Sequence, residues 1–173
     1  DIAAPIFRTD VTTAEMTKYA SNAFLATKIS FINEIANICQ KLGVDVYEVV
    51  RGLSFDYRIG DKFLSAGTGF GGSCLPKDLR ALTHHAKQAD VSVPLLEAAM
   101  HSNAEHIRYA LQMVRANGRK RIGVLGLSFK HGTDDLRESP VVTLVEQLLG
   151  KGYDVRIFDR NVSLARLMGA NKE

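Results

Sequence analysis

Cysteine is scarce in this chain: only Cys39 and Cys74 occur among 173 residues. No CxxC pair and no Cys/His cluster with zinc spacing is present, which argues against structural zinc. A disulfide between the two has no support in the sequence. A thiol-redox role is weak for the same reason, because no resolving cysteine neighbours either thiol. Charge of one sign is also scarce. The net charge is +3 with no dense Lys/Arg run, so nucleic acid is not an expected partner. No apolar run approaches the ~18 residues of a spanning helix, so no membrane segment is expected. Asp1-Ile2-Ala3-Ala4-Pro5 offers no basic start followed by an apolar run, so no signal peptide is expected and the setting reads as reducing and cytoplasmic. Repeats and low-complexity tracts are missing. His84, His85, His101, His106 and His131 show no metal spacing. What remains, 46% hydrophobic and 24% charged, is the balance of a globular protein: one domain, or one domain and part of another.

The first ten residues read as an extended lead-in. Thr12 and Glu15 fit a capping box. From there to Leu42 the chain has no Gly or Pro, and Phe24, Phe31, Ile35 and Ile38 recur at helical intervals. Gly43 is a natural stop. A short helix is expected from Asp45 to Arg51, ending at Gly52, followed by an irregular, glycine-rich stretch over 53–75. Pro76 opens a helix to about Gln88, because the first turn tolerates proline. Pro94 opens another to about Asn117. At ~24 residues that helix would span ~36 Å, enough to connect two domains or form a dimer core.

The pattern changes at Gly118. Arg121 to Leu127 is a near-continuous apolar run, as in a buried parallel strand. A helix is expected from Pro140 to Leu149, a second strand from Tyr153 to Asp159, and a further short helix after it. This is a βαβ-type beginning. The expected fold class is therefore a mainly α domain over 1–117, with a long connecting helix, followed at 118–173 by the start of an α/β domain that two strands leave incomplete.

Gly67-Thr68-Gly69-Phe70-Gly71-Gly72 matches GxGxxG, but Asp61 to Ala66 is a poor buried strand, and the dinucleotide fingerprint needs one directly before it. Two readings stay open: a flexible turn, or a loop whose backbone approaches a ligand closely. Cys74 follows. A lone cysteine is ordinarily an apolar filler. Here a glycine loop, a helix start and Lys77 favour the reactive thiolate. Cys39 lies inside an apolar helical pattern and reads as core. Lys18 and Asn22 share a helix face, which on its own reads as solvated surface. Lys130, Asp134, Asp135, Arg137 and Glu138 follow the first strand, where open α/β sheets hold ligands; the plainer reading is a solvated loop.

Three blocks carry a resemblance. They are Glu15 to Phe24, Gly69 to Asp78, and Gly126 to Lys130 with Thr133 to Pro140. In sequence, order and separation they resemble the UDP-glucose/GDP-mannose 6-dehydrogenase family, over essentially the whole chain. The resemblance implies NAD as cofactor, a nucleotide sugar as substrate, and a four-electron oxidation of the sugar C6 alcohol through a Cys74 thiohemiacetal and thioester. It implies that Lys18 and Asn22 stabilise charge on the C6 oxygen. Asp78 would handle protons or position water, and Lys77 and Arg137 would lie at NAD. Phe70, Gly71 and Lys130 would contact the sugar nucleotide. Arg58 would reach a neighbouring subunit's substrate, implying a homodimer or larger.

The family's N-terminal NAD domain with a true GxGxxG is not in this sequence, so the chain looks like a central domain plus a partial C-terminal Rossmann-like domain, expected to be inactive alone. Phe158 to Val162 and Gly169 to Glu173 look most like GDP-mannose enzymes, and Tyr57 to Leu64 more like UDP-glucose enzymes. The other reading is a non-catalytic helical dimerisation module in which Cys74 is a bystander.

Overall fold

A computed structural model describes residues 4–130 and 132–162. Helix α1 runs over Val11–Leu42, α2 over Val46–Ser54, α3 over Leu75–Gln88 and α4 over Pro94–Ala116. Strand β1 (Arg121–Leu125), helix α5 (Pro140–Leu149) and strand β2 (Asp154–Phe158) follow. The two strands pair in parallel, with Arg121 opposite Asp154 and Leu125 opposite Phe158. With α5 between them they form one βαβ unit. The short helix expected beyond the second strand, and the block Gly169 to Glu173, lie outside the described residues.

The elements start and stop for local reasons, some of them not the expected ones. Asp10, not Thr12, caps α1: its Oδ1 accepts from Thr13 N at 2.9 Å, displacing the expected Thr12/Glu15 capping box. Gly43 ends α1 in the left-handed region at φ 68°, with Val44 N donating to Cys39 O at 2.9 Å. Helix α2 continues through Gly52 to Ser54; one glycine costs only ~1 kcal/mol, too little to stop it. Leu75 rather than Pro76 begins α3, which makes Cys74 its N-cap.

Helix α1 buries a different face from the one its periodicity suggested. Phe24, Phe31 and Ile38 are 64%, 50% and 54% exposed. The buried face carries Ala23, Ala26, Ser30 and Asn33. Small side chains let α3 and α4 approach closely, and Phe70, Leu79 and Ala99 complete that core. A second core joins Leu111 of α4 to Leu148 of α5 and to Tyr153. Helix α4 thus serves both cores. Strand β1 ends at Leu125, which is 85% exposed; with one paired neighbour it is not the buried strand its apolar run suggested. Among the described residues no helix is long and apolar enough to cross a membrane.

Candidate active site

Cys74 is exposed, and Cys39 is buried in α1. The thiol sits at the start of α3, where no side chain caps the free backbone donors. Asp78 N donates to Cys74 O at 3.0 Å, so Asp78 lies one turn further on. Its side chain is 1% exposed. Three groups converge on it. Lys18 Nζ reaches Oδ2 at 3.1 Å, Asn22 Nδ2 reaches Oδ2 at 2.6 Å, and Lys77 Nζ bonds Oδ1. Burial works to raise the Asp78 pKa, but the bonds from Lys77, Asn22 and Lys18 outweigh it and hold it at about 2. Lys18 and Asn22 thus share a helix face with a common buried partner, although Lys18 itself stays more than half exposed.

Lys77 is raised above its ordinary pKa chiefly by Asp78, with smaller contributions from charge on Cys74 and Tyr19. Arg137 is raised chiefly by Asp135 and last by Cys74. Arg137 is held by a bidentate pair with Asp135, at 2.9 and 2.6 Å. Lys77 and Arg137 are exposed, as is Lys130, whose carbonyl accepts from Ser128 Oγ and Thr133 Oγ1. Arg58 pairs within its own loop. It forms a bidentate pair with Asp56, in a segment tied to α1 by Lys28 Nζ on Ile59 O at 3.0 Å.

Gly71 and Gly72 of the glycine loop lie against the chain's own atoms. A Cβ on Gly71 would stand 2.1 Å from Glu138 O, and one on Gly72 2.5 Å from the Phe129 ring. Gly72 N donates to Arg137 O at 2.9 Å. The loop is clamped onto the segment between β1 and α5, and Arg80 closes the seam on Glu138. No strand precedes the loop, so it is not a dinucleotide fingerprint. Phe70 is 5% exposed and packs in the core with Ala23, Ala26, Leu79 and Ala99.

Sequence reading missed the side chains that hold the loop and its surroundings. Asn33, Asn103 and His106 bond the loop backbone. Asp159, at the end of β2, accepts from Leu127 N at 2.7 Å and Asn161 N at 2.7 Å. Its pKa is lowered, chiefly by Leu127. Asn33/Asn37 and Asn103/His106 sit at i,i+4 and i,i+3 spacing, a signal that could have flagged one polar face on each helix. Among the described residues no group of His, Cys, Asp and Glu converges to hold a metal.

An exposed thiol at a helix start, beside a buried carboxylate that gathers two lysines and an asparagine, defines a thiol-bearing helical unit joined to a βαβ unit. The central-domain model of the UDP-glucose/GDP-mannose dehydrogenase family matches residues 12–105, and its UDP binding domain matches 123–172. The chain belongs to this family. It is 50% identical over 175 positions to a GDP-mannose 6-dehydrogenase of Pseudomonas aeruginosa, covering 100% of this chain and 40% of that protein. It is 46% identical to a UDP-glucose 6-dehydrogenase of Rickettsia bellii, covering 92% of this chain and 38% of that protein. A UDP-glucose dehydrogenase structure from Pyrobaculum islandicum superposes with a TM-score of 0.87 at 38% identity, over 92% of this chain and 38% of that one. The chain thus spans about 40% of the length of the curated relatives it matches.

Proposed function

We propose that this chain is the thiol-bearing part of an NAD-dependent nucleotide-sugar 6-dehydrogenase. Residues 1–117 would form the central helical domain and 118–173 the beginning of a Rossmann-like sugar-nucleotide domain. The observation that carries the reading is the placement of exposed Cys74 one helical turn before the Lys18–Asn22–Lys77–Asp78 group.

Bound NAD would supply the hydride acceptor for two oxidations, one molecule for each. Lys77 and Arg137 fit an edge contact with such an anionic cofactor, being exposed cations beside the thiol. After the first oxidation the C6 aldehyde carbon is open to the Cys74 thiolate. A C–S bond forms, the carbonyl π pair moves to oxygen, and that oxygen takes a proton to give the thiohemiacetal. Loss of a hydride from C6 and of the hydroxyl proton leaves a thioester. Water adds, the C–S bond breaks, and carboxylate and thiol result.

Lys18 and Asn22 can serve the oxygen without leaving Asp78. An ammonium carries three donors and an amide NH2 carries two, and each spends one on Asp78. One such donor is worth about 10²–10³ in rate. Asp78, held at about 2, is a weak base at neutral pH. Its low pKa supports a role in aiming Lys18 and Asn22 rather than in taking a proton.

GDP-mannose, giving GDP-mannuronate, is the favoured substrate, from the Phe158 to Val162 block and the identity to GDP-mannose 6-dehydrogenases. UDP-glucose is the alternative, favoured by the Pyrobaculum superposition. The exposed stripe of Phe24, Phe31 and Ile38 is an apolar surface suited to a second copy, which supports a homodimer or larger. The test counts NADH per sugar in the full enzyme with each substrate. Two per sugar is expected, and one per sugar, stopping at aldehyde, sinks the thioester. The chain alone is expected to make none.

A further inference from the structure

We propose that Asn103, on α4, is the positioning residue for the Cys74 loop, with His106 and Asn33 as its supports. The proposal rests on the reading of Cys74 as the reacting thiol. Asn103 spends its side-chain hydrogen bonds on Phe70 and not on the thiol or the converging group at Asp78, and it lies outside all three blocks that carry the family resemblance. Its side-chain amide bonds both polar groups of one loop residue. Phe70 N donates to Oδ1 at 2.8 Å, and Nδ2 donates to Phe70 O at 3.1 Å. This two-point grip fixes position and direction, as a single bond would not. Its Oδ1 also fills the place of a Cβ on Gly69, 2.6 Å away, where φ is +128°.

The loop is gripped again three residues earlier. His106 Nε2 lies 2.6 Å from Gly67 O, and Gly67 N donates to Asn33 Oδ1 at 2.9 Å. A carbonyl only accepts, so Nε2 carries the proton. Nδ1 then accepts from Asn37 Nδ2 at 3.2 Å. The side-chain hydrogen bonds to the 67–70 backbone come from α1 and α4, and Gly72 N is held by Arg137 O. Only Ser73 separates that fixed stretch from Cys74. The sulfur's place at the α3 start is therefore set by α4 through the loop.

The test is the rate of alkylation by iodoacetamide at fixed pH, read separately at Cys74 and Cys39, in Asn103→Ala, Asn103→Asp and Ser102→Ala. Ser102 donates to Glu34 Oε1 at 2.5 Å and links α4 to α1 without touching the loop, so it controls for general loosening. Asn103→Ala is expected to slow Cys74 about 10-fold, because a misplaced group forfeits its environment. Asn103→Asp keeps the Phe70 N–H bond and should fall between. It also stands in if the alanine variant does not fold. Ser102→Ala should stay near wild type. In the full enzyme the two Asn103 variants should lower kcat while leaving KM for the sugar nucleotide unchanged, and Ser102→Ala should change neither. An unslowed Cys74 in both Asn103 variants, or an equal fall in Ser102→Ala, overturns the proposal. A wild-type Cys74 no faster than Cys39 sinks the thiol reading beneath it, and the unmodified protein alone reveals that.

Discussion

Replacing Gly71 by alanine tests the seam between the thiol loop and the second region. The new Cβ would lie 2.1 Å from Glu138 O, 2.8 Å from Pro140 Cδ and 3.0 Å from Glu138 C. Two of these are backbone atoms, so no side chain can swing away. Ordinary contact begins at 3.4 Å, and the carbonyl must retreat by about 1 Å. That retreat pulls on the Gly72 N–Arg137 O bond beside it. Overpacking of this kind costs ~1–3 kcal/mol, and a weakened buried hydrogen bond adds ~1 kcal/mol. At about 2–4 °C per kcal/mol for a chain this size, the melting temperature should fall by roughly 4–16 °C. Gly67→Ala is the control, since nothing lies within 4 Å of its Cβ, and it should stay within about 0.5 kcal/mol of wild type. Thermal unfolding followed by circular dichroism reads both. A Gly71→Ala protein melting within about 2 °C of wild type, or a Gly67→Ala protein falling as far, would refute the packing argument.

Three further outcomes are expected. The pKa of Asp78 is depressed from 3.8 to about 2, so its stabilisation is full above 3.8 and is lost as pH falls toward 2. That shift is worth ~2 kcal/mol at most, and nearer ~1 because its lysine partners are more than half exposed. Acid unfolding of Asp78→Asn should lack this component, and an unchanged pH dependence would contradict it. Leu148→Ala empties a fully buried position in the second core and should cost ~2–5 kcal/mol in urea denaturation. Arg80→Ala removes a half-exposed pair with Glu138; it should cost less than ~1 kcal/mol and vanish in high salt.

The sequence made the punctuation legible and the faces illegible. Gly43, Asp45, Pro94 and Pro140 mark element ends because each acts through its own backbone or cap, and the structure puts boundaries there. Which side of α1 is buried was not legible, because Phe24, Phe31 and Ile38 outweigh the Ala23–Ala26–Ser30 face in any hydrophobicity pattern. The converging group at Asp78 was half legible. The resemblance placed Lys18 and Asn22 with Cys74, but a buried carboxylate joining them depends on how α1 packs on α3. The loop glycines were legible only as permitting a close approach, since glycine admits approach by anything. Here the neighbour is Glu138, more than sixty residues away in sequence.

That neighbour explains why one helix can govern the site. Helix α4 supplies Ala99 to the first core and Leu111 to the second, and between those points it presents Asn103 and His106 to the loop. The loop is bonded to α4 on one side and to Arg137 O on the other. The segment carrying Arg137 continues into α5, whose Leu148 packs with Leu111 of α4. The thiol loop is thus held in a closed circuit of loop, inter-element segment, α5 and α4. A shift of the βαβ unit along α4 would move the two sides of the loop unequally. Cys74 therefore keeps its place at the start of α3 only while both cores keep their register on the same helix.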